Sequence, residues 1–180
     1  MAAKKATLPA TRALVSSQTG RVHAALGDEQ GAERHLAAAD ELVAGGLGDD
    51  VPQWVAYFDA AEHAGARAVS ARDLHGIGRT RCASDHFTDA LALRRPGFDR
   101  VRVMDRIGLA AALFTENEPE QGAAAAHQAL DEATRANSTL VASRLNTLLD
   151  AARPYRTAAV DEVRTRAADL AAARPTTVAA

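Results

Sequence analysis

The chain has 180 residues, a formal net charge of −2 and alanine at about a quarter of its positions. A slightly acidic chain argues against a stand-alone nucleic-acid-binding protein, because such proteins usually present a basic face. Apolar runs fall short of the roughly 20 residues of a membrane span, and no signal-peptide-like stretch follows Lys4 and Lys5. We therefore expect a cytoplasmic protein without membrane contact. Abundant alanine with few β-branched and aromatic residues predicts an all-α fold.

Glycine and proline divide the chain into about eight predicted helices. The breaks fall at residues 27–28, 45–52, 76–78, 96–97, 117–119 and 154. Between them, apolar residues recur at three- and four-residue spacing, as at Leu36, Ala39, Leu42 and Val43. We expect residues 1–9 and 174–180 to be flexible tails on either side of a helical domain that spans residues 10–173.

The segment PQWVAYFDAAEH, residues 52–63, concentrates aromatic side chains in a chain that has few of them. Proline suits the first turn of a helix, and the aspartates before it can cap that turn. Trp54, Tyr57, Phe58 and Ala61 would then share one face, which we expect to pack on the preceding helix pair. On this interpretation, Trp54→Ala would destabilise the protein by roughly 3–5 kcal/mol. The alternative is a pocket for an aromatic ligand or peptide side chain.

Polar residues with catalytic or metal-binding potential are scattered along the chain. Asp59 and His63 are four residues apart, but two ligands make a weak metal site without partners elsewhere, so a solvated helix face is the prediction. No P-loop follows the glycines at 45–48, and no Gly-x-Ser-x-Gly elbow is present. Cys82 is the single cysteine, so no intramolecular disulfide can form. We predict no catalytic residue, metal or cofactor; a hydrolase whose residues meet only in the fold remains an alternative.

Similar patterns of small residues follow three of the breaks. The chain reads GDEQGAERHLAAADEL from Gly27, GRTRCASDHFTDALAL from Gly78 and NEPEQGAAAAHQALDE from Asn117. A small residue comes five positions after each start, an apolar or small residue four later, and an alanine three later again. These residues are Ala32, Leu36 and Ala39, then Ala83, Phe87 and Ala90, then Gly122, Ala126 and Ala129. Small residues at such positions allow two antiparallel helices to cross closely.

This pattern resembles the tetratricopeptide repeat, a helix–turn–helix unit of about 34 residues. The resemblance implies a right-handed α-solenoid of three to four antiparallel helix pairs over residues 10–173. Three segments, WVAYFDAAEHAG, RCASDHFTDALALR and RIGLAAALFTENEPEQGAAAAHQAL, further resemble the C-terminal region of bacterial regulators. Those regulators carry an N-terminal helix-turn-helix domain of the lambda-repressor/Cro type. That domain has no counterpart here, so no DNA-contacting residue is transferred.

The resemblance implies a non-enzymatic interaction or regulatory module, because the first helices of such repeats line a concave groove that binds partners. By the family pattern, the groove-facing positions are Arg21, Arg72, His75, Met104, Ile107, Phe114 and Arg144. Arginine offers forked hydrogen bonds to carboxylates, which suits a peptide or protein segment with acidic and apolar residues. A small signal or self-association is also open. For Met104, Ile107 and Phe114 the alternative is a position in the core between repeats. The competing functions are a DNA-binding regulator and a small enzyme.

Overall fold

The computed structural model describes residues 8–74, 82–135 and 139–172, and every regular element in these ranges is an α-helix. The chain divides into two compact units, Met1–Leu93 and Arg94–Ala180. The first unit contains α1 (Pro9–Ala25), α2 (Glu29–Ala44), α3 (Ala60–Asp73) and α4 (Ala83–Leu93). The second contains α5 (Asp99–Thr115), α6 (Pro119–Arg135), α7 (Thr139–Ala152) and α8 (Ala158–Ala172). The predicted all-α class and the predicted number of helices are confirmed for the described residues.

Neighbouring helices in each unit pack as pairs. In the first unit α1 packs against α2 and α3, and α3 packs against α4. In the second unit α5 packs against α6 and α7, while α8 packs against α6 and α7. None of the helices in the described ranges has both the length and the apolar character needed to cross a membrane.

Two of the predicted turns have the same backbone geometry. Gly27 and Asn117 both adopt the left-handed conformation, with φ of 77° and 65°. The amide of Asp28 donates to the carbonyl of His23 (2.9 Å), and that of Glu118 donates to the carbonyl of Leu113 (2.9 Å). These bonds close α1 and α5 with the same C-terminal motif. Asparagine tolerates this conformation better than most residues, so it can stand where the first turn has glycine.

Small residues make the closest contacts within the helix pairs. A Cβ atom on Gly20 of α1 would lie 2.7 Å from Cγ of Leu36 on α2. A Cβ atom on Gly122 of α6 would lie 3.0 Å from the ring of Phe114 on α5. Ala32, like Leu36, is fully buried. The prediction that small residues occupy the helix crossings is therefore confirmed at Ala32 and Gly122.

The segment before α3 departs from the predicted helix. Residues 53–57 form consecutive turns, and α3 begins only at Ala60, where the Asp59 carboxylate accepts a hydrogen bond from the amide of Glu62 (3.0 Å). Phe58 is buried, but Trp54 is 52% exposed and Tyr57 is 51% exposed. The predicted aromatic helix face is therefore wrong, because this segment is not a helix and its aromatic side chains point in different directions.

The ends of the predicted domain fall partly outside the described residues. Pro9 is the first residue of α1. Residues 1–7, residues 174–180 and the predicted turn at residues 76–78 lie outside the described ranges.

Candidate functional site: a buried histidine beside an open cleft

The predicted groove residues have different environments. Arg21, Arg72, Met104 and Arg144 are partly buried, and His75 lies outside the described residues. Arg72 forms an ion pair with its neighbour Asp73 (2.8 Å). Ile107 and Phe114 are buried in the apolar core of the second unit. For these two residues the core alternative is correct, because a partner in a groove could not reach their side chains.

His63 is a buried polar residue that links three helices of the first unit. It lies on α3 and is 4% exposed. Its Nε2 donates to Oδ1 of Asp40 on α2 at 2.7 Å, and its Nδ1 lies 3.1 Å from the hydroxyl of Ser17 on α1. A neutral ring protonated at Nε2 satisfies both contacts, because Nδ1 then accepts the Ser17 proton. The solvated position predicted for His63 is therefore wrong.

Arg67, one helical turn after His63, completes the polar cluster. Its Nε donates to both carboxylate oxygens of Asp40 (3.0 and 2.9 Å), and its Nη2 donates to Glu33 (3.2 Å). Burial alone would raise the pKa of Asp40. The hydrogen bonds from His63 and Arg67 outweigh it and lower this pKa to about 2. We call Ser17, Asp40, His63 and Arg67 the α1–α3 polar cluster.

Within this cluster the serine contacts the histidine and the histidine contacts the aspartate, as in a hydrolytic triad. A nucleophilic serine must reach a substrate carbonyl, but Ser17 is completely buried. Asp40 also binds the guanidinium of Arg67 at the same time as the imidazole. The arrangement is therefore suited to holding α1, α2 and α3 together. It does not present an attacking hydroxyl.

An open cleft of about 610 Å³ lies next to the polar cluster. Its volume is within the range of roughly 300–1,000 Å³ that is typical of ligand sites. Aliphatic side chains from α2, α3 and α4 supply much of its wall, and Asp40, His63 and Arg67 border it. The lining residues are Asp40, Val43, Ala60, His63, Ala64, Arg67, His86, Asp89, Ala92 and Leu93. None of the six predicted groove residues that the structure describes is among them.

Metal-binding potential is low in the part of the chain that the structure describes. There, no group of three or more His, Cys, Asp or Glu side chains is arranged to hold an ion. Asp59 caps α3 with its side chain, while His63 is buried with Ser17 and Asp40. The two potential ligands thus serve separate structural roles. Cys82 is exposed.

The second unit uses its polar side chains mainly between helices. Arg94 and Asp105 form a buried ion pair at 2.8 Å. Arg106 on α5 donates to Glu132 on α6 (3.1 Å), and Arg166 on α8 donates to Nδ1 of His127 on α6 (2.8 Å). Arg106 and Arg166 join adjacent helices, and Arg94 joins the segment before α5 to that helix, so the cleft in the first unit is the better candidate site.

Comparison of this chain with protein-family models, with curated proteins and with solved structures gives no match. The candidate site therefore rests on the chain's own geometry.

The polar cluster has little signal in the sequence. Ser17 and His63 are 46 residues apart, and Asp40 and His63 are 23 apart. Each residue alone resembles an ordinary polar position on a helix. The clearest indication of the cluster in the sequence is the four-residue spacing of His63 and Arg67, which places both side chains on one face of α3.

Proposed function

We propose that this chain is a non-enzymatic interaction module that binds an extended segment of a partner protein in the cleft of its first unit. The observation that carries the proposal is the cleft itself, which joins aliphatic walls to polar groups already held in place by hydrogen bonds. Preorganised groups of this kind lower the entropy lost on binding. The module would be a right-handed α-solenoid of tetratricopeptide-like helix pairs.

The helix contacts support the solenoid part of the proposal. First helices of consecutive pairs touch each other, as α1 touches α3 and α5 touches α7. The second helices α6 and α8 also touch. Stacked helix hairpins make these contacts, because each hairpin buries its apolar face against the next one.

The lining of the cleft favours a peptide segment with short apolar side chains. Val43, Ala64 and Ala92 offer shallow aliphatic contacts, and Leu93 at the edge is half exposed. The guanidinium of Arg67 already pairs with two carboxylates, Asp40 and Glu33. Apolar anchors in the partner are therefore the expected source of affinity. A role in bacterial transcriptional regulation is the context that the sequence resemblance implies.

The test uses a random peptide library as the probe, selected on the immobilised full chain. Ala64→Trp should fill the cleft, because Ala64 lines it and is only partly exposed. Ala124→Trp is the matched control, since this exposed alanine of α6 lies outside the cleft. We expect enriched peptides that bind the wild type and Ala124→Trp but bind Ala64→Trp at least about tenfold more weakly. Equal binding to both variants, or no enrichment at all, would contradict the proposal.

A further inference from the structure

Helix α1 presents an apolar stripe to solvent. Val15, Val22 and Leu26 are 57%, 58% and 77% exposed. With Thr19 they are spaced four, three and four residues apart; Leu26, the C-cap of α1, keeps a right-handed helical backbone, so all four lie on one side. The hydroxyl of Thr19 donates to the carbonyl of Val15 (2.8 Å), so it is satisfied within α1 and does not need water. We call these four residues the α1 seam.

An aromatic side chain extends the seam. Tyr57, from the turns before α3, is half exposed and lines a shallow cavity of about 430 Å³ with residues of α1. The other residues that line this cavity are Leu14, Val15, Gln18, Thr19 and Val22. Tyrosine is enriched among the residues that dominate binding energy in protein interfaces. The feature is therefore a groove along a helix, with an aromatic residue at one side.

The charge on α1 has a single sign. The helix contains Arg12, Arg21 and His23 but neither aspartate nor glutamate. Arg12 precedes Val15 by one turn, and Arg21 donates to Gln18 (3.2 Å), which lines the cavity. Neither arginine forms an ion pair with any side chain that the structure describes. Most other described arginines that contact a neighbouring helix, such as Arg67, bind a carboxylate on that helix.

We propose that the α1 seam binds an amphipathic helix of a partner protein, one whose apolar stripe is flanked by aspartate or glutamate. The spacing of the seam matches the stripe that a facing helix would insert into it. Arg12, which continues the line of the seam one turn before Val15 and forms no ion pair with a described side chain, provides the complementary charge. This site is separate from the cleft, so it stands independently of the proposed function.

The charge argues for a partner helix over a second copy of α1. If two copies paired through their seams, Arg12 would meet a helix that also carries only positive charge. Like charges across an interface weaken it, whereas carboxylates would pair with Arg12. Acidic flanks therefore distinguish the proposed partner helix from a second copy of α1.

The probe for this proposal is a synthetic helical peptide with leucine at the seam-facing positions and glutamate on both flanks. A second peptide has lysine in place of every glutamate. Binding to the full chain is measured by fluorescence anisotropy, and helical content is checked by circular dichroism. We expect the glutamate peptide to bind at least about tenfold more tightly than the lysine peptide.

Two variants locate the site. Val22→Asp changes an exposed residue, so the fold should persist, and it should weaken the glutamate peptide by about tenfold or more. Ala124→Asp is the control that should leave binding unchanged, because Ala124 is an exposed residue of α6 outside both the seam and the cleft. Arg12→Glu should reduce the preference for the glutamate peptide.

Equal binding of the two peptides, or unchanged binding by Val22→Asp, would overturn the proposal. Sedimentation gives a further decisive outcome. A wild-type dimer that Val22→Asp converts to a monomer, without peptide binding, would show that a second copy occupies the seam.

Discussion

Asp40→Asn should remove part of the pH dependence of unfolding. The pKa of Asp40 is about 2 in the folded chain against an ordinary value of 3.8. A carboxyl group with a lowered pKa adds stability above its unfolded pKa and loses it as the pH falls through the folded value. The contribution of Asp40 should therefore be complete above about pH 4 and disappear toward pH 2.

The expected magnitude follows from the size of this shift and from exposure. Lowering the pKa of Asp40 from 3.8 to about 2 corresponds to about 2.4 kcal/mol of stability. The Asp40 side chain is 45% exposed, so solvent screening reduces the figure to about 1 kcal/mol. The asparagine variant keeps the shape of the side chain but has no charge to titrate.

Urea unfolding of the wild type and of Asp40→Asn between pH 5 and pH 2 measures the effect. The free energies of unfolding should differ most at pH 5, and the difference should shrink by about 1 kcal/mol toward pH 2. Glu41→Gln is the control, because Glu41 is the exposed neighbour on α2. A difference that stays constant across this pH range would refute the assigned role of Asp40.

Three further substitutions test the packing of the first unit, each by thermal or urea unfolding. Gly20→Ala should destabilise by about 1–3 kcal/mol, because its Cβ would meet the side chain of Leu36; in a Leu36→Ala background this penalty should shrink, since only the Ala32 carbonyl oxygen, 3.2 Å away, would remain close, and an additive result would contradict the contact. Ser17→Ala should cost about 1–3 kcal/mol by leaving a buried ring nitrogen without a partner, and an unchanged midpoint would argue against the bond. Trp54→Ala should lower the free energy of unfolding by less than about 2 kcal/mol, because the indole is half exposed; a larger decrease would show that the indole packs in the core.

The helices were predictable because local signals agree with packing. Alanine-rich segments with apolar residues at three- and four-residue spacing became helices, and the turns at Gly27 and Asn117 ended them as expected. Ala32 and Leu36 lie buried where the repeated pattern predicted. These features depend on neighbours within about two helical turns, so the sequence alone contains enough information to find them.

The aromatic segment was mispredicted as a helix because its three-residue spacing also fits a run of consecutive turns. Residues three apart fit both a helix and a run of three-residue turns. The amides of Val55 and Phe58 donate to the carbonyls three residues earlier, Pro52 and Val55. Val55 and Phe58 therefore turn inward, while Trp54 stays half exposed. Asp59 caps the helix that follows this run, so α3 begins at Ala60 and not at Pro52.

The candidate sites were largely beyond the reach of the sequence. His63 is buried only because Ser17 and Asp40, on two other helices, satisfy its ring nitrogens. The cleft requires α2, α3 and α4 to be positioned first. Such sites depend on contacts between distant segments, and a single sequence without related sequences gives no evidence of which distant residues meet.

The glycine and alanine contacts between the helices have a consequence for mutational tolerance. In most cores, truncating a large side chain is the damaging change, because it leaves a cavity. At Gly20, Ala32 and Gly122 there is almost nothing to truncate, and a larger side chain would push two helices apart. A saturation library should therefore show an inverted profile at these positions, with tolerance falling as side-chain volume rises. Alanine has no side-chain rotamers to lose on folding, whereas glycine loses more backbone entropy than any other residue, so the entropic cost is lower at Ala32 than at the two glycines.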